Sequence, residues 1–196
     1  MGAHRAVGVS QNVWLHNEQA PAWELEYAYP NAGTASATGN VIATKDGGYA
    51  FVVAINDTKL GVLGHLTKVD ASGAVKFDTE FHVNDPTGAL PTSTPLDLLE
   101  DPAGKYFAIL SNVLAGAQEQ IMLTFINEDG TFNGVARFAN DTLSVFPSKF
   151  VVGAHADTFL VAGQFTDANG NNDGFYAELP KAAGKPTFAF SVGSAS

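Results

Sequence analysis

Residues 45–53 read Lys-Asp-Gly-Gly-Tyr-Ala-Phe-Val-Val, a tight-turn signal followed at once by an apolar strand that begins with an aromatic residue. The arrangement returns at 101–110, Asp-Pro-Ala-Gly-Lys-Tyr-Phe-Ala-Ile-Leu, and in a weaker form at 154–162. The three leading aromatic residues are separated by 57 and 53 positions: Tyr49, Tyr106 and Phe159. A period of this size indicates a supersecondary unit that needs neighbours to bury its faces.

A second landmark has the same spacing. Each aromatic-led strand is followed by another apolar strand, which ends in a polar turn containing glycine. The last residues of these second strands, Val69, Ile126 and Leu179, are again 57 and 53 positions apart. In the first repeat the turn is Asp70–Gly73, and a further short strand follows it. The pattern therefore predicts four short strands in each repeat, joined by tight turns.

The repeats divide the chain into one half unit and three full units. Residues 38–84, 94–140 and 145–192 are predicted to be full repeats, and residues 1–30 carry the last two strands of another. The prediction is a single all-β domain over 1–196, built from about three and a half four-stranded antiparallel units. A β-sandwich or an irregular barrel stays open as the alternative packing of the same strands.

The amino-acid composition limits the kinds of molecule that this protein is expected to bind. The chain carries 20 acidic and 10 basic residues, a net charge of −10, so nucleic acid and anionic membrane surfaces are disfavoured. It contains no cysteine, which excludes disulfides and thiol chemistry. No run approaches the roughly 20 apolar residues of a membrane-spanning helix, and the first residues lack the apolar stretch of a signal peptide. The compartment stays open, with an extracellular or cell-surface location favoured.

One loop has the spacing of a calcium site. Residues 167–178 read Asp-Ala-Asn-Gly-Asn-Asn-Asp-Gly-Phe-Tyr-Ala-Glu. The predicted ligands are oxygen-bearing side chains at loop positions 1, 3, 5, 7 and 12: Asp167, Asn169, Asn171, Asp173 and Glu178. The sixth position is asparagine where a calcium loop has glycine, and the end of the loop falls within a predicted strand. The alternative is a turn between two strands that is rich in Asn and Gly for its backbone geometry.

Other clusters carry weaker signals. The half repeat is dense in aromatic residues, which form either core or a surface for a partner or a sugar: Trp14, Trp23, Tyr27 and Tyr29. His65 and His82 lie on successive predicted strands and are expected to be structural. The acidic residues Asp70, Asp78, Glu80 and Asp85 follow one strand pair, and a glycosidase uses two such carboxylates. The sequence has none of the motifs of a metal hydrolase or of a serine nucleophile, so no catalytic residue and no cofactor other than calcium is predicted.

Two stretches carry a resemblance to a known family. Residues 39–49, ending in Asp-Gly-Gly-Tyr, and residues 66–73, containing Val-Asp-x-x-Gly, resemble the blades of bacterial-type β-propeller repeats. The resemblance implies blades of four antiparallel strands around an axis. Propellers usually have four to eight blades, whereas this chain supplies about three and a half, which leaves blade ends uncovered.

The predicted function follows from those open ends. The sequence favours a non-catalytic scaffold or binding subunit that engages a protein partner, or copies of itself, through the open blade ends. The alternative is a carbohydrate-active enzyme or a sugar-binding module with its site in the loops at the propeller mouth.

Overall fold

The computed structural model describes residues 39–57, 61–82, 92–115, 117–139, 143–155, 157–181 and 187–192. These ranges contain twelve β-strands and no helix, so none of the described residues belongs to a helix that could cross a membrane. The prediction of an all-β chain is confirmed.

The strands form three antiparallel sheets of four strands, each strand pairing with the next along the chain. Sheet I consists of β1 (Gly39–Ala43), β2 (Tyr49–Asp57), β3 (Gly61–Val69) and β4 (Val75–Phe81). Sheet II consists of β5 (Thr92–Glu100), β6 (Tyr106–Ala115), β7 (Gln118–Asn127) and β8 (Phe132–Phe138). Sheet III consists of β9 (Ser144–Val152), β10 (Thr158–Thr166), β11 (Asn172–Pro180) and β12 (Thr187–Val192). A parallel pair between Val62 and Thr92 joins sheets I and II along one edge.

The turns form where the sequence places small polar residues. In the β3–β4 turn, the Asp70 carboxylate accepts hydrogen bonds from the backbone N–H groups of Ser72 and Ala74, at 2.9 and 3.1 Å. Gly73 completes the turn with a φ of 86°, in the left-handed region that glycine adopts without strain. The polar segment therefore reverses the chain within a few residues and lets β4 pair with β3.

Strand register defines which residues are equivalent in the three repeats. Tyr49 pairs with Val69, and Phe159 pairs with Leu179. In sheet II it is Phe107, not Tyr106, that pairs with Ile126. The sequence alignment at Tyr106 was wrong by one position because the turn before β6 is one residue longer. A shift of one residue moves every side chain of a strand to the other face of its sheet.

The sheets pack face to face around two hydrophobic clusters. Between sheets I and II the buried side chains include Val52, Leu66, Leu98, Phe107, Ile109 and Ile126. Between sheets II and III they include Leu110, Leu123, Phe125, Phe138, Phe159, Val161 and Leu179. Phe107 and Phe159 thus each face the preceding sheet. The described strands form no closed barrel.

A candidate docking face on the third sheet

Sheet III has one buried side and one open side. Its inner face packs on sheet II through Phe159, Val161, Ala177 and Leu179. Successive side chains of a strand point to opposite faces, and cross-strand partners share a face. The remaining positions therefore form what we call the outer face, and they include the following residues: Phe146, Lys149 and Val151 of β9; Leu160, Ala162 and Gln164 of β10; Gly174, Tyr176 and Glu178 of β11.

The outer face exposes large apolar side chains. The exposed fraction is 54% for Val151, 40% for Leu160, and 39% for both Tyr176 and Phe146. By contrast, most apolar side chains of sheet I that point away from sheet II, among them Val53 and Ile55, are buried, and Val41 at the edge is 43% exposed. Of the sheet faces that the structure describes, the outer face of sheet III is thus the apolar one left open.

The repeat shows what normally covers this face. Leu160 and Ala162 follow Phe159 by one and three residues. Ala50 and Val52 follow Tyr49 in the same way in sheet I, and Ala108 and Leu110 follow the equivalent residue Phe107 in sheet II. Tyr176 has the position of Leu66 and Leu123. All six equivalent side chains in sheets I and II lie at or below 1% exposure because the next sheet covers them. The outer face is therefore equivalent to two faces that pack against a neighbouring sheet, but no described sheet covers it.

A hollow of about 750 Å³ lies in the outer face, and its lining includes Phe146, Gln164, Gly174 and Tyr176. Gly174 is equivalent to Gly64 and Ile121, since each precedes its second landmark residue by five positions. A Cβ added to Gly64 would lie 2.2 Å from the Phe81 ring, which fills that space in sheet I. Among the described residues, a Cβ added to Gly174 would come no nearer than 3.9 Å, to the carbonyl oxygen of Gly163.

Glu178, at one end of the outer face, is held in a hydrogen-bond network. The Glu178 carboxylate accepts a hydrogen bond from the Thr158 hydroxyl at 2.6 Å and contacts Nδ1 of His155 at 2.7 Å. The Thr158 hydrogen bond, followed by that of His155, lowers the pKa of Glu178 below its usual value. Leu160, Ala162, Gly174 and Tyr176 in the middle of the face are uncharged, and Lys149, the β9 partner of Ala162, is 67% exposed with its ammonium 3.0 Å from Asp97.

The predicted calcium ligands are only partly brought together. Asp167, Asn169 and Asn171 lie in the β10–β11 turn, where the Asp167 carboxylate accepts hydrogen bonds from the backbone N–H groups of Asn169 and Asn171, at 2.8 and 2.9 Å. A further hydrogen bond from the Asn171 amide leads the causes that lower the pKa of Asp167. Asp173 lies in β11 beside the hollow.

Glu178 lies far from that turn. It is six residues along β11 from Asn172, about 20 Å away at the usual rise of a strand, and it is bonded to Thr158 and His155. No group of three or more His, Asp or Glu side chains placed to hold a metal occurs in the described ranges. Calcium binding by the loop stays a prediction.

The other candidate residues of the sequence are dispersed. His65 lies 3.5 Å from Asp78 and 3.7 Å from Glu80, while His82 is exposed beyond the end of β4. Asp70 is engaged in its turn. Trp14, Trp23, Tyr27, Tyr29 and Asp85 lie outside the described residues.

Three ionised residues that the sequence did not single out tie the sheets together. The Lys68 ammonium lies 3.0 Å from Asp46 and 2.9 Å from Glu128, so it bridges sheets I and II. Lys181 lies 3.8 Å from Asp101 and 5.8 Å from the centre of the Phe159 ring, between sheets II and III. Asp97 accepts hydrogen bonds from Asn40 and from Lys149. These contacts depend on sheet packing, which the residue types alone do not reveal.

The chain matches no protein-family model, and no curated protein is similar to it.

Proposed function

We propose that the protein is a non-catalytic, propeller-like repeat scaffold that binds a protein partner through the outer face of sheet III. The observation that carries the proposal is the equivalence of this face with two faces that are covered. Leu160 and Tyr176 are exposed at positions where Ala108 and Leu123 are buried by a neighbouring sheet. Burying such apolar area is favourable by about 25 cal/mol per Å², and exposed apolar patches of this kind mark interaction sites.

The propeller-like arrangement is supported by the first strands of the sheets. β5 contacts β1 and also β9. At their meeting point, the buried Asp97 of β5 accepts hydrogen bonds from Asn40 of β1 and from the backbone N–H of Phe150 in β9, the latter at 3.2 Å. First strands that converge while the sheets face each other are the arrangement expected around a propeller axis.

The proposed function is non-catalytic because of the side chains that line the hollow. Glycoside hydrolysis uses two carboxylates flanking the scissile bond, and the described residues lining the hollow include one, Asp173. The aromatic rings of Phe146 and Tyr176 beside Gln164 give the alternative of a sugar-binding module a place on this face. The two functions differ in the partner that occupies the hollow, so soluble saccharides serve as competitors in the test below.

The test asks whether the outer face is exposed in the folded protein and whether its residues are dispensable for stability. An environment-sensitive apolar dye is titrated against the wild-type chain and against Leu160→Glu at the lowest protein concentration that permits detection. We expect the dye to bind the wild type and to bind Leu160→Glu only weakly. The free energy of unfolding, obtained from thermal denaturation, should differ between the two by less than about 0.5 kcal/mol. Phe132→Glu is the matched control, because Phe132 is 55% exposed on sheet II, away from the outer face.

The proposal fails if Leu160→Glu unfolds the chain while the control does not, since Leu160 would then belong to the core of the folded protein. Displacement of the dye by a simple saccharide, from the wild type and from the Phe132→Glu control alike, would favour the sugar-binding function instead.

A further inference from the structure

We propose that Asn133 is a site of spontaneous deamidation, at which the backbone nitrogen of Gly134 attacks the side-chain amide. Asn-Gly is the dipeptide in which this reaction is least hindered, because glycine has no Cβ beside the attacking nitrogen. The chain contains Asn-Gly twice, at Asn133-Gly134 and at Asn169-Gly170, and both asparagines are exposed. Since the two dipeptides are chemically identical, the fold decides which of them reacts. The proposal goes beyond the docking function and does not depend on it.

The reaction needs only water as a co-reactant. The nitrogen of Gly134 forms a bond to Cγ of Asn133, and its proton leaves with the side-chain NH₂ group as ammonia, which closes a succinimide ring. Water then opens the ring at either carbonyl group. One opening gives aspartate, and the other gives isoaspartate, in which the backbone runs through the former side chain and is one methylene longer. Either product carries a negative charge where asparagine is neutral.

The hydrogen bonds of the β10–β11 turn protect Asn169. The backbone N–H of Gly170, which would have to attack, donates to the carbonyl oxygen of Asp167 at 3.0 Å. The backbone N–H groups on either side of Gly170, those of Asn169 and Asn171, donate to the Asp167 carboxylate at 2.8 and 2.9 Å. Attack at this site must therefore first break the turn.

Asn133 lies instead at an irregular point of an outer strand. β8 is the last strand of sheet II and pairs with β7 alone among the described strands. Phe132 pairs with Ile126 of β7. Gly134 pairs with the residue before it, Phe125, so Asn133 is an extra residue without a partner in β7. Such a bulge locally disrupts the ladder of backbone hydrogen bonds. We therefore expect the backbone at Asn133 to reach the reactive conformation more easily than the turn at Asn169 does.

The surroundings of Gly134 leave room for the ring. A Cβ placed on Gly134 would have no heavy atom of the described residues within 4 Å, and its φ is 152°, a conformation that residues with a side chain rarely adopt. The side-chain amide of Asn133 donates an exposed hydrogen bond to Oδ1 of Asn127 at 2.9 Å. Water can replace a bond of this kind at little cost. The amide is thus free to turn toward the Gly134 nitrogen.

The experiment measures both sites in one sample. The purified chain is incubated at mildly alkaline pH, and mass spectrometry of tryptic peptides follows the exchange of NH₂ for OH. Trypsin separates the two sites, because Arg137 and Lys149 lie between them. We expect Asn133 to be converted at least about fivefold faster than Asn169, the factor that corresponds to one net backbone hydrogen bond.

Matched variants identify the product. A protein isoaspartyl methyltransferase should methylate the incubated wild type, since isoaspartate is its substrate. Asn133→Gln should remove most of this methylation, because the longer side chain does not close the same ring. Asn169→Gln should leave it nearly unchanged. Equal losses in the two variants would contradict the proposal.

Incubation in denaturant is the control for the fold. In the unfolded chain the hydrogen bonds of the β10–β11 turn are lost, so the rates at Asn133 and Asn169 should converge. A difference that persists unchanged in denaturant would come from the flanking sequence and overturns the proposal. A folded chain in which Asn169 reacts as fast as Asn133 overturns it too, as does a folded chain that keeps Asn133 intact while the unfolded chain is converted.

Discussion

At the scale of single residues, the contacts that join the sheets are made by buried or half-buried ions. Lys68 is the clearest case: its side chain is 7% exposed, its ammonium bonds to Asp46 and Glu128, and it lies 5.5 Å from the centre of the Phe107 ring. Burial opposes the charged form, but the hydrogen bonds to Glu128 and Asp46 outweigh it and raise the pKa of Lys68. The charge is thus stabilised by its partners rather than by solvent.

Replacing Lys68 by methionine tests this bridge. We expect Lys68→Met to lower the free energy of unfolding by about 1–3 kcal/mol, since Glu128 loses its partner while half-buried. Urea denaturation measures the change. Lys76→Met is the control: Lys76 is 54% exposed and pairs with Asp70 in solvent, so its loss should cost under about 0.5 kcal/mol. Equal effects of the two substitutions would contradict the assigned role.

The ion pair between Lys68 and Asp46 should also make the stability of the fold depend on pH, and the Lys68→Met variant tests this. Hydrogen bonds from Thr44 and then from Lys68 lower the pKa of Asp46 to about 2, against an ordinary value of 3.8. A carboxylate with a lowered pKa stabilises the fold above its unfolded pKa and loses that contribution as the pH falls through its folded pKa. Between pH 4 and pH 2, the wild type should therefore lose more stability than Lys68→Met.

At the scale of strands and sheets, register determines the role of each position. Gly64, Ile121 and Gly174 are equivalent, yet one lies under the Phe81 ring, one fills its own space and one borders an open hollow. Two glycines with the same place in the repeat thus have opposite environments. The difference arises within each sheet, because Phe81 is the β4 residue that pairs with Gly64, whereas the β12 residue that pairs with Gly174 is Val192.

Replacing Gly64 and Gly174 by alanine tests the difference between their environments. Gly64→Ala should cost about 1–3 kcal/mol, because the buried Phe81 ring must move to admit a methyl group. Gly174→Ala should change stability by less than about 0.5 kcal/mol, because among the described residues no atom lies nearer than 3.9 Å to the added methyl group. Thermal denaturation of both variants gives the comparison. A large loss in Gly174→Ala would show that the hollow is filled in the folded chain.

At the scale of the whole molecule, the three sheets meet at Asp97. This side chain of β5 is buried and accepts hydrogen bonds from Asn40 of sheet I and from Lys149 and Phe150 of sheet III. A buried carboxylate that satisfies donors from both neighbours holds the relative position of all three sheets.

Removing the Asp97 carboxylate should therefore affect the whole fold. Asp97→Ala is expected to lower the unfolding free energy by about 2–4 kcal/mol, because the buried N–H of Phe150 loses its acceptor. Asp97→Asn should not restore stability, since its NH₂ group faces donors. Asp157→Asn is the control, with a side chain that is 85% exposed. Denaturant unfolding followed by circular dichroism measures all three, and a loss below about 0.5 kcal/mol for Asp97→Ala would contradict the assignment.

Much of the strand pattern was predictable from the sequence. The turn at Asp70–Gly73 and the end of β3 at Val69 lie where the sequence placed them, because turn chemistry and apolar runs are local properties. β7 and β11 each end one residue later than predicted, at Asn127 and Pro180. The equivalence of Tyr106 with Tyr49 was wrong, because one extra turn residue cannot be recognised until strands are paired. The open outer face of sheet III was not predicted, because Leu160 and Tyr176 look like core residues until the packing of the sheets shows them to be 40% and 39% exposed.

The sequence by itself determined that the chain is all-β, with repeated short strands and tight turns, because side-chain alternation and backbone preference act within a few residues. The tertiary structure alone decided which of the equivalent faces is covered, which lysines and carboxylates meet between sheets, and where the open hollow lies. Those properties depend on contacts between residues 50 or more positions apart, such as Lys68 with Glu128 and Asn40 with Asp97. Burial and ion pairing arise only when the sheets come together.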